Sequence, residues 1–150
     1  METIRLTDIT EQNWETVCNL DPGEQGRGFV ADNTYSIAQF YFEKTWTIKA
    51  IEHSGEIVGF TMYGFSRELD GFELCRFMID KRFQNKGYGR AALSLIIGEM
   101  FRCFPCRHIY LTASPYNARA LHLYQEAGFT DTGKPCGTPN RPENIFILTK

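Results

Sequence analysis

One stretch constrains the fold more than any other: Phe72-Glu-Leu-Cys-Arg-Phe-Met-Ile79, then Gln84-Asn-Lys-Gly87-Tyr-Gly89-Arg90, then a change of hydrophobic period. The segment before the glycines reads as a strand. After them, Leu93, Ile96, Ile97, Met100 and Phe104 stand at spacings of three and four, the signature of a helix over 89–102. Pro105 stops that helix, and 108–114 reads as a strand with Ile109, Leu111 and Ala113 on one face. Strand, glycine turn, helix and strand make a βαβ unit, which calls for a parallel strand pair at that point.

The elements before this unit point the other way. Residues 46–52 and 57–65 read as strands around the turn His53-Ser54-Gly55-Glu56, and Asp70-Gly71 marks a hairpin into the strand over 72–79, with Gly71 expected to take the positive φ. These three strands form an antiparallel meander. Earlier still come a short strand at Ile4-Arg5-Leu6, a helix from near Thr10 carrying Trp14, Val17 and Cys18, a loop over 21–27, and a helix over 36–43 holding Ile37, Phe40 and Tyr41. After the βαβ unit, Asn117 reads as the N-cap of a helix ending at Ala127, Gly128 as its C′ residue, and 145–149 as a last strand. The expected fold is a mixed α/β (α+β) sheet, mostly antiparallel and flanked by helices, in one domain over residues 1–150.

The glycine loop sits at a helix N-terminus, where unpaired N–H groups and a partial positive charge suit an anionic phosphate. Glycines let backbone approach closely, and Lys81, Arg82, Lys86 and Arg90 add positive charge. The dinucleotide fingerprint is not met, because Ala92 stands where its third glycine would fall and no acid ends the next strand. The Gly-Lys-Ser/Thr of the nucleotide P-loop is also absent. Taken alone, the loop is equally an ordinary strand-to-helix turn.

Composition narrows the classes. A formal charge of −2 argues against nucleic acid as the main partner. No apolar run approaches the roughly 20 residues of a membrane span, and Met1-Glu2-Thr3-Ile4-Arg5 does not open a signal peptide. Five cysteines, an odd number, argue against a disulfide framework, so the expectation is a cytoplasmic protein. Cys103-Phe-Pro-Cys106 straddles a helix end rather than a helix start, and no further ligands at zinc spacing accompany it, so it is assigned to packing and no metal is expected. His53, His108 and His122 are scattered and read as structural or exposed; Trp14 and Trp46 read as core or substrate-wall aromatics.

Arg76-Phe-Met-Ile-Asp80, Gln84-Asn-Lys-Gly87-Tyr-Gly89-Arg90 and Asn117-Ala-x-Ala-Leu-x-Leu-Tyr124-x-x-x-Gly128-Phe129, in this order and spacing, resemble the GNAT superfamily of N-acetyltransferases over about 46–129. The resemblance implies acetyl-CoA as co-substrate and a central sheet splayed at a β-bulge. It implies that the backbone of Phe77, Met78 and Ile79 pairs with the pantetheine arm, and that Gln84 and the N–H groups of Asn85, Lys86, Gly87, Tyr88, Gly89 and Arg90 receive the pyrophosphate. Phe77-Met78-Ile79 are core strand as well, and Asn117 is a helix cap that also falls near the pantetheine. Tyr124 matches the tyrosine that family members set beside the cofactor sulfur, where it protonates the leaving thiolate; its alternative is a core aromatic.

The attacking amine must lose a proton first, since an aliphatic amine has a pKa of about 10. Glu73 and Cys75 share a strand face. Polyamine acetyltransferases place a carboxylate where this chain has Cys75, so Glu73 becomes the candidate base; its alternative is a solvated strand residue. The oxyanion is expected at the Ile79 N–H. Glu24-Gln-Gly-Arg-Gly-Phe29-Val-Ala-Asp-Asn-Thr-Tyr35-Ser-Ile-Ala38 and Met62-Tyr63-Gly64 are similar to bacterial spermine/spermidine (diamine) acetyltransferases. That similarity implies a small-molecule amine acceptor, with Asp21, Glu24, Asp32, Glu43 and Glu73 gathered around a polycation. A protein N-terminus, a lysine, an aminoglycoside, and a catalytically silent acetyl-CoA-binding module stay open as alternatives, and so does a homodimer.

Overall fold

The computed structural model describes residues 3–24, 26–29 and 31–150. Met1 and Glu2 of the N-terminal segment, Gln25 of the loop over 21–27 and Val30 of the segment from Glu24 to Ala38 lie outside the described residues. The elements run β1 (Ile4–Thr7), α1 (Trp14–Cys18), α2 (Asn33–Phe42), β2 (Trp46–His53), β3 (Glu56–Ser66), β4 (Gly71–Ile79), a 3-10 turn (Lys81–Phe83), α3 (Tyr88–Cys103), β5 (His108–Ala113), α4 (Ala118–Glu126), β6 (Thr130–Thr138) and β7 (Arg141–Thr149). Among the described residues no helix is long and apolar enough to cross a membrane.

The sheet has seven strands in the order β1-β2-β3-β4-β5-β7-β6. Every pairing is antiparallel except β4 with β5. This is the mixed, mostly antiparallel sheet the sequence predicts, with the parallel pair at the βαβ unit. One core lies between the sheet and α3, where Leu93, Ile96 and Met100 meet Ile51, Leu74, Ile109, Leu111 and Phe146. A second core lies on the opposite face, where Val17 and Leu20 meet Trp46, Phe60, Met62 and Met78, with Ile37 and Phe40 of α2 over them. Each fully buried side chain of this size contributes about 1.5–3 kcal/mol, so both faces are anchored.

Two irregularities create the site. Met62 pairs with Arg76 but Tyr63 pairs with Leu74, so Cys75 is an extra residue on β4, a β-bulge. The bulge shifts the phase of side-chain alternation. Cys75 packs on the second core and Arg76 reaches Gln39 on α2, whereas Phe77 and Ile79 return to the first core with Leu74. Beyond the bulge β4 leaves β5, and the two strands share a single register pair, Glu73 with Tyr110.

Local signals place most boundaries. Asp32 accepts from Thr34 N at 2.7 Å and starts α2 three residues before the expected Ser36. The helix expected from Thr10 is shorter, because Thr10 to Asn13 form a turn closed by the Asn13 side chain. At the β3–β4 hairpin the positive φ (50°) belongs to Asp70 and not to Gly71. Gly71 has a steric duty instead: a Cβ there would stand 2.7 Å from the Tyr110 ring. Strand β6 has no counterpart in the sequence reading, and β7 begins at Arg141 rather than at Ile145. Pro135 and Pro142 disguise both, since proline argues against a strand; here Pro135 lies on an edge strand and Pro142 lies past the end of β5, where that side of β7 is unpaired.

Candidate functional site

The glycine loop takes its shape from two positive φ values, 63° at Asn85 and 82° at Gly87, the residue that caps α3. Gly87 is needed for that conformation and not for space, since a Cβ there would meet nothing within 4 Å. From this loop a cleft of about 510 Å³ runs along the splay, lined by Phe77, Met78, Ile79, Gln84, Asn85, Gly87, Gly89, Arg90, Asn117 and Tyr124. Lys86 and Tyr88 are absent from that lining. They border a different surface depression, where the Tyr88 ring stacks on His53 at 4.5 Å. Only their backbone faces the helix end.

Asp80 N–H donates to Val58 O of β3. Amides alternate in direction along a strand, so those of Phe77 and Ile79 point the other way, into the gap. Gln84 differs from expectation. Its Nε2 donates to Pro22 O (2.9 Å) and Ile79 O (2.8 Å), and its Oε1 accepts from Arg119 (2.8 Å), so the whole carboxamide is engaged within the protein. Arg119, which the sequence reading did not single out, also donates to Asn85 Oδ1 at 3.1 Å and lines the cleft. Its position in the first turn of the helix capped by Asn117 was the available signal. Of the loop cations, Lys81 pairs with Asp21, Arg82 with Asp80 and Arg90 with Glu126.

Asn117 caps α4 through Ala120 N. Tyr124 is half-buried, its ring set edge-on to Phe129 at 6.1 Å, while Phe129 N–H returns to Tyr124 O across the Gly128 turn. Among the described residues its hydroxyl has no hydrogen-bond partner, and burial pushes its pKa up to about 12. At neutral pH it is a proton donor facing the cleft.

Tyr124, Phe77, Thr112 and Ser114 also line a middle chamber of about 420 Å³, whose far side is Cys75, Arg76 and Glu143. Those three with Thr112 open into a third cavity of about 540 Å³ between α2 and the β6–β7 hairpin. It carries Glu43, Glu68, Glu73 and Glu143 against Lys44, Arg67 and Arg76. Tyr124 and Glu73 therefore stand toward the two ends of one passage and do not face each other.

Glu73 is 9% exposed. Burial pushes its pKa up to about 7; Ser66 and Arg76 oppose that shift, and the charges of Glu68 and Glu143 add to it. Cys75 shares the cavity as expected, and burial first, then the charge of Glu73, push its thiol up to about 12. A neutral thiol there is neither base nor nucleophile.

The acidic wall is not the expected one. Asp21 pairs with Arg27 and Lys81, Asp32 caps α2, and Glu24 is exposed and lines none of the three cavities. Glu43 does line the acidic cavity, held by Trp46 Nε1 (3.1 Å) and Gln39 Nε2 (3.3 Å). Glu68 and Glu143, from the β3–β4 turn and the β6–β7 hairpin, complete it; they were missed with the hairpin that carries Glu143. Trp46 is core as expected, whereas Trp14 is half exposed. His122 lines the cleft at the glycine loop, 3.2 Å from Glu126.

The family described as Acetyltransferase (GNAT) family matches residues 9–129. Spermine/spermidine N(1)-acetyltransferase of Bacillus subtilis (strain 168) is 27% identical over 138 residues, 88% of this chain and 91% of that protein. Spermidine N-acetyltransferase from Vibrio cholerae, solved with CoA and spermine, has a TM-score of 0.76 at 15% identity, covering 98% of this chain and 95% of that one. An aminoglycoside acetyltransferase solved with coenzyme A has a TM-score of 0.77 at 17% identity, covering 100% and 95%.

Proposed function

The chain belongs to the acetyltransferase (GNAT) family, and from that premise we propose that it transfers the acetyl group of acetyl-CoA to a primary amine, with a polyamine as acceptor. One observation carries the reading: the cleft at the glycine loop runs through a chamber at Tyr124 into an acidic cavity holding Glu73. The cleft fits the cofactor chemically, with a helix N-terminus and Arg119 for phosphates and two strand amides for the amide-bearing arm.

Acetyl-CoA supplies an activated acyl thioester when bound. Amides of residues 85–90 receive the pyrophosphate, the backbone of Phe77 and Ile79 pairs with the arm along the gap, and Asn117 borders it while capping α4. The acceptor amine enters from the side carrying Glu43, Glu68 and Glu143, where a polycation competes with Lys44, Arg67 and Arg76 for these carboxylates. Glu73, ionising near neutrality, takes the amine proton through water, since it stands back from the chamber. The Phe77 N–H, on a residue that lines the chamber with Tyr124, stabilises the oxygen charge that develops as the amine attacks, leaving the Phe77 carbonyl and the Ile79 N–H to the arm; Ile79, the donor expected from the sequence, lies outside the chamber lining. Tyr124 gives its proton to the departing thiolate. The charge of the polycation is matched by the curated Bacillus relative, whose name gives spermine and spermidine as its acceptors. The same reading takes residues 1–150 as one domain, and its five free thiols suit the reducing cytoplasm.

The test is thiol release from acetyl-CoA with spermidine, spermine, diamines, aminoglycosides and peptides. Spermidine or spermine is expected to give the highest kcat/KM. A higher value for an aminoglycoside or a peptide would overturn the acceptor. Coenzyme A binding without turnover of any amine would make the chain a silent binding module. Sedimentation in the same buffer decides whether it pairs as a homodimer.

A further inference from the structure

Gln84 lies in the loop assigned above to the pyrophosphate, yet its side chain has no free donor to offer a phosphate. Both Nε2 hydrogens are donated, to Pro22 O at 2.9 Å and Ile79 O at 2.8 Å, and Oε1 accepts from Arg119 at 2.8 Å. These partners belong to three parts of the fold. Pro22 opens the loop after α1, Ile79 ends the splayed strand, and Arg119 stands on α4 beside the cap.

The loop after α1 is tied to the same place by other bonds. Asp21 N–H donates to the buried Asp80 carboxylate at 2.9 Å, and Lys81 N–H donates to Asp21 O at 2.7 Å. Lys81 Nζ returns to the Asp21 carboxylate at 3.2 Å. A few residues on, Phe29 lines both the cofactor-side cleft and the middle chamber, and Gly28 lines the chamber. Pro22 and Gly26 line the cleft itself, so the segment that starts there leads from the cleft to the chamber wall at Gly28 and Phe29, and it hangs from the residues that lead into the glycine loop.

We infer that Gln84 is a positioning residue that couples the two substrate sites: its carboxamide fastens Pro22, the root of the segment whose Gly28 and Phe29 wall the acceptor chamber, to the cofactor loop and to α4. The inference rests on the assignment of cleft and chamber made above. It separates two jobs within one motif, because the loop backbone meets the cofactor while the Gln84 side chain sets the acceptor wall. Arg119 serves both, pinning Gln84 and Asn85 and presenting charge to the cleft.

Gln84→Met keeps the length of the side chain and removes both donors and the acceptor. Gln84→Glu keeps the Arg119 contact and sets oxygens against the carbonyls of Pro22 and Ile79. Each protein is titrated with coenzyme A by calorimetry and assayed with spermidine, or with the best amine of the panel. Losing two neutral hydrogen bonds corresponds to a roughly 5- to 30-fold change. The acceptor KM is expected to rise by that factor in both variants, with the coenzyme A Kd within about threefold of wild type, and Arg119→Met is expected to show the reverse emphasis. An acceptor KM within about twofold of wild type in both Gln84 variants overturns the coupling. So does a loss confined to coenzyme A affinity, which would make the carboxamide a direct pyrophosphate ligand, and so does an equal loss in both constants. A wild-type chain that binds no coenzyme A would instead defeat the functional assignment itself.

Discussion

Glu73→Gln separates a buried catalytic base from a merely buried acid, because stability reads the burial and turnover reads the chemistry. The carboxyl is 9% exposed, and its pKa rises from 4.5 to about 7, chiefly through burial. At about 1.4 kcal/mol per pH unit, holding it protonated to neutrality corresponds to about 3 kcal/mol. Between about pH 4.5 and pH 7 the folded chain keeps a proton that the unfolded chain has released, so its stability falls as pH rises through that window. Gln has no proton to lose and keeps an oxygen and a donor for Ser66. The variant is therefore expected to match wild type near pH 4.5 and to exceed it by about 3 kcal/mol at pH 8, measured by urea unfolding at each pH. Its acetyl transfer is expected to fall by about 10²–10⁴-fold. The acid limb of kcat/KM, centred near pH 7 in wild type, is expected to vanish. A stability difference that stays constant from pH 5 to pH 8 would refute the burial argument. A full rate with the acid limb intact would remove Glu73 from the chemistry.

Tyr124→Phe keeps the edge-on packing on Phe129 and removes the hydroxyl; kcat is expected to drop about 10²-fold while the coenzyme A Kd, read by calorimetry, holds. An unchanged kcat would return Tyr124 to packing alone. Gly87→Ala forces a side chain into φ 82°, costing about 1–2 kcal/mol in thermal unfolding. Gly87→Asn should cost less, and equal losses would count against backbone strain as the cause. Cys75→Ala removes a thiol whose pKa is about 12; kcat is expected to stay within about threefold of wild type, and a loss of two orders of magnitude would give the thiol a chemical role.

What the sequence determined by itself is local. The switch from a period of two to a helical period fixed β4, α3 and β5, because side-chain direction follows backbone geometry wherever one face is buried. Asn117 and Gly128 were legible as caps for the same reason, since each satisfies groups within a few residues of itself. The glycine loop and the order of its flanking elements also marked the cleft proposed for the cofactor.

The cavity proposed for the acceptor was decided by the tertiary structure. Cys75 becomes a bulge only through the register of β4 against β3, a relation between residues far apart in sequence, and the splay follows from it. The β6–β7 hairpin carries two prolines and is held by β5, so Glu143 reached the cavity unannounced, while Asp21 was claimed by Arg27 and Lys81 and Asp32 by the cap of α2. Gln84 illustrates the division. Its place in a glycine motif suggested a ligand, and three partners from separate parts of the chain claimed its carboxamide instead. Hydrogen-bonding capacity is written in the residue, but which partner fills it is written only in the fold.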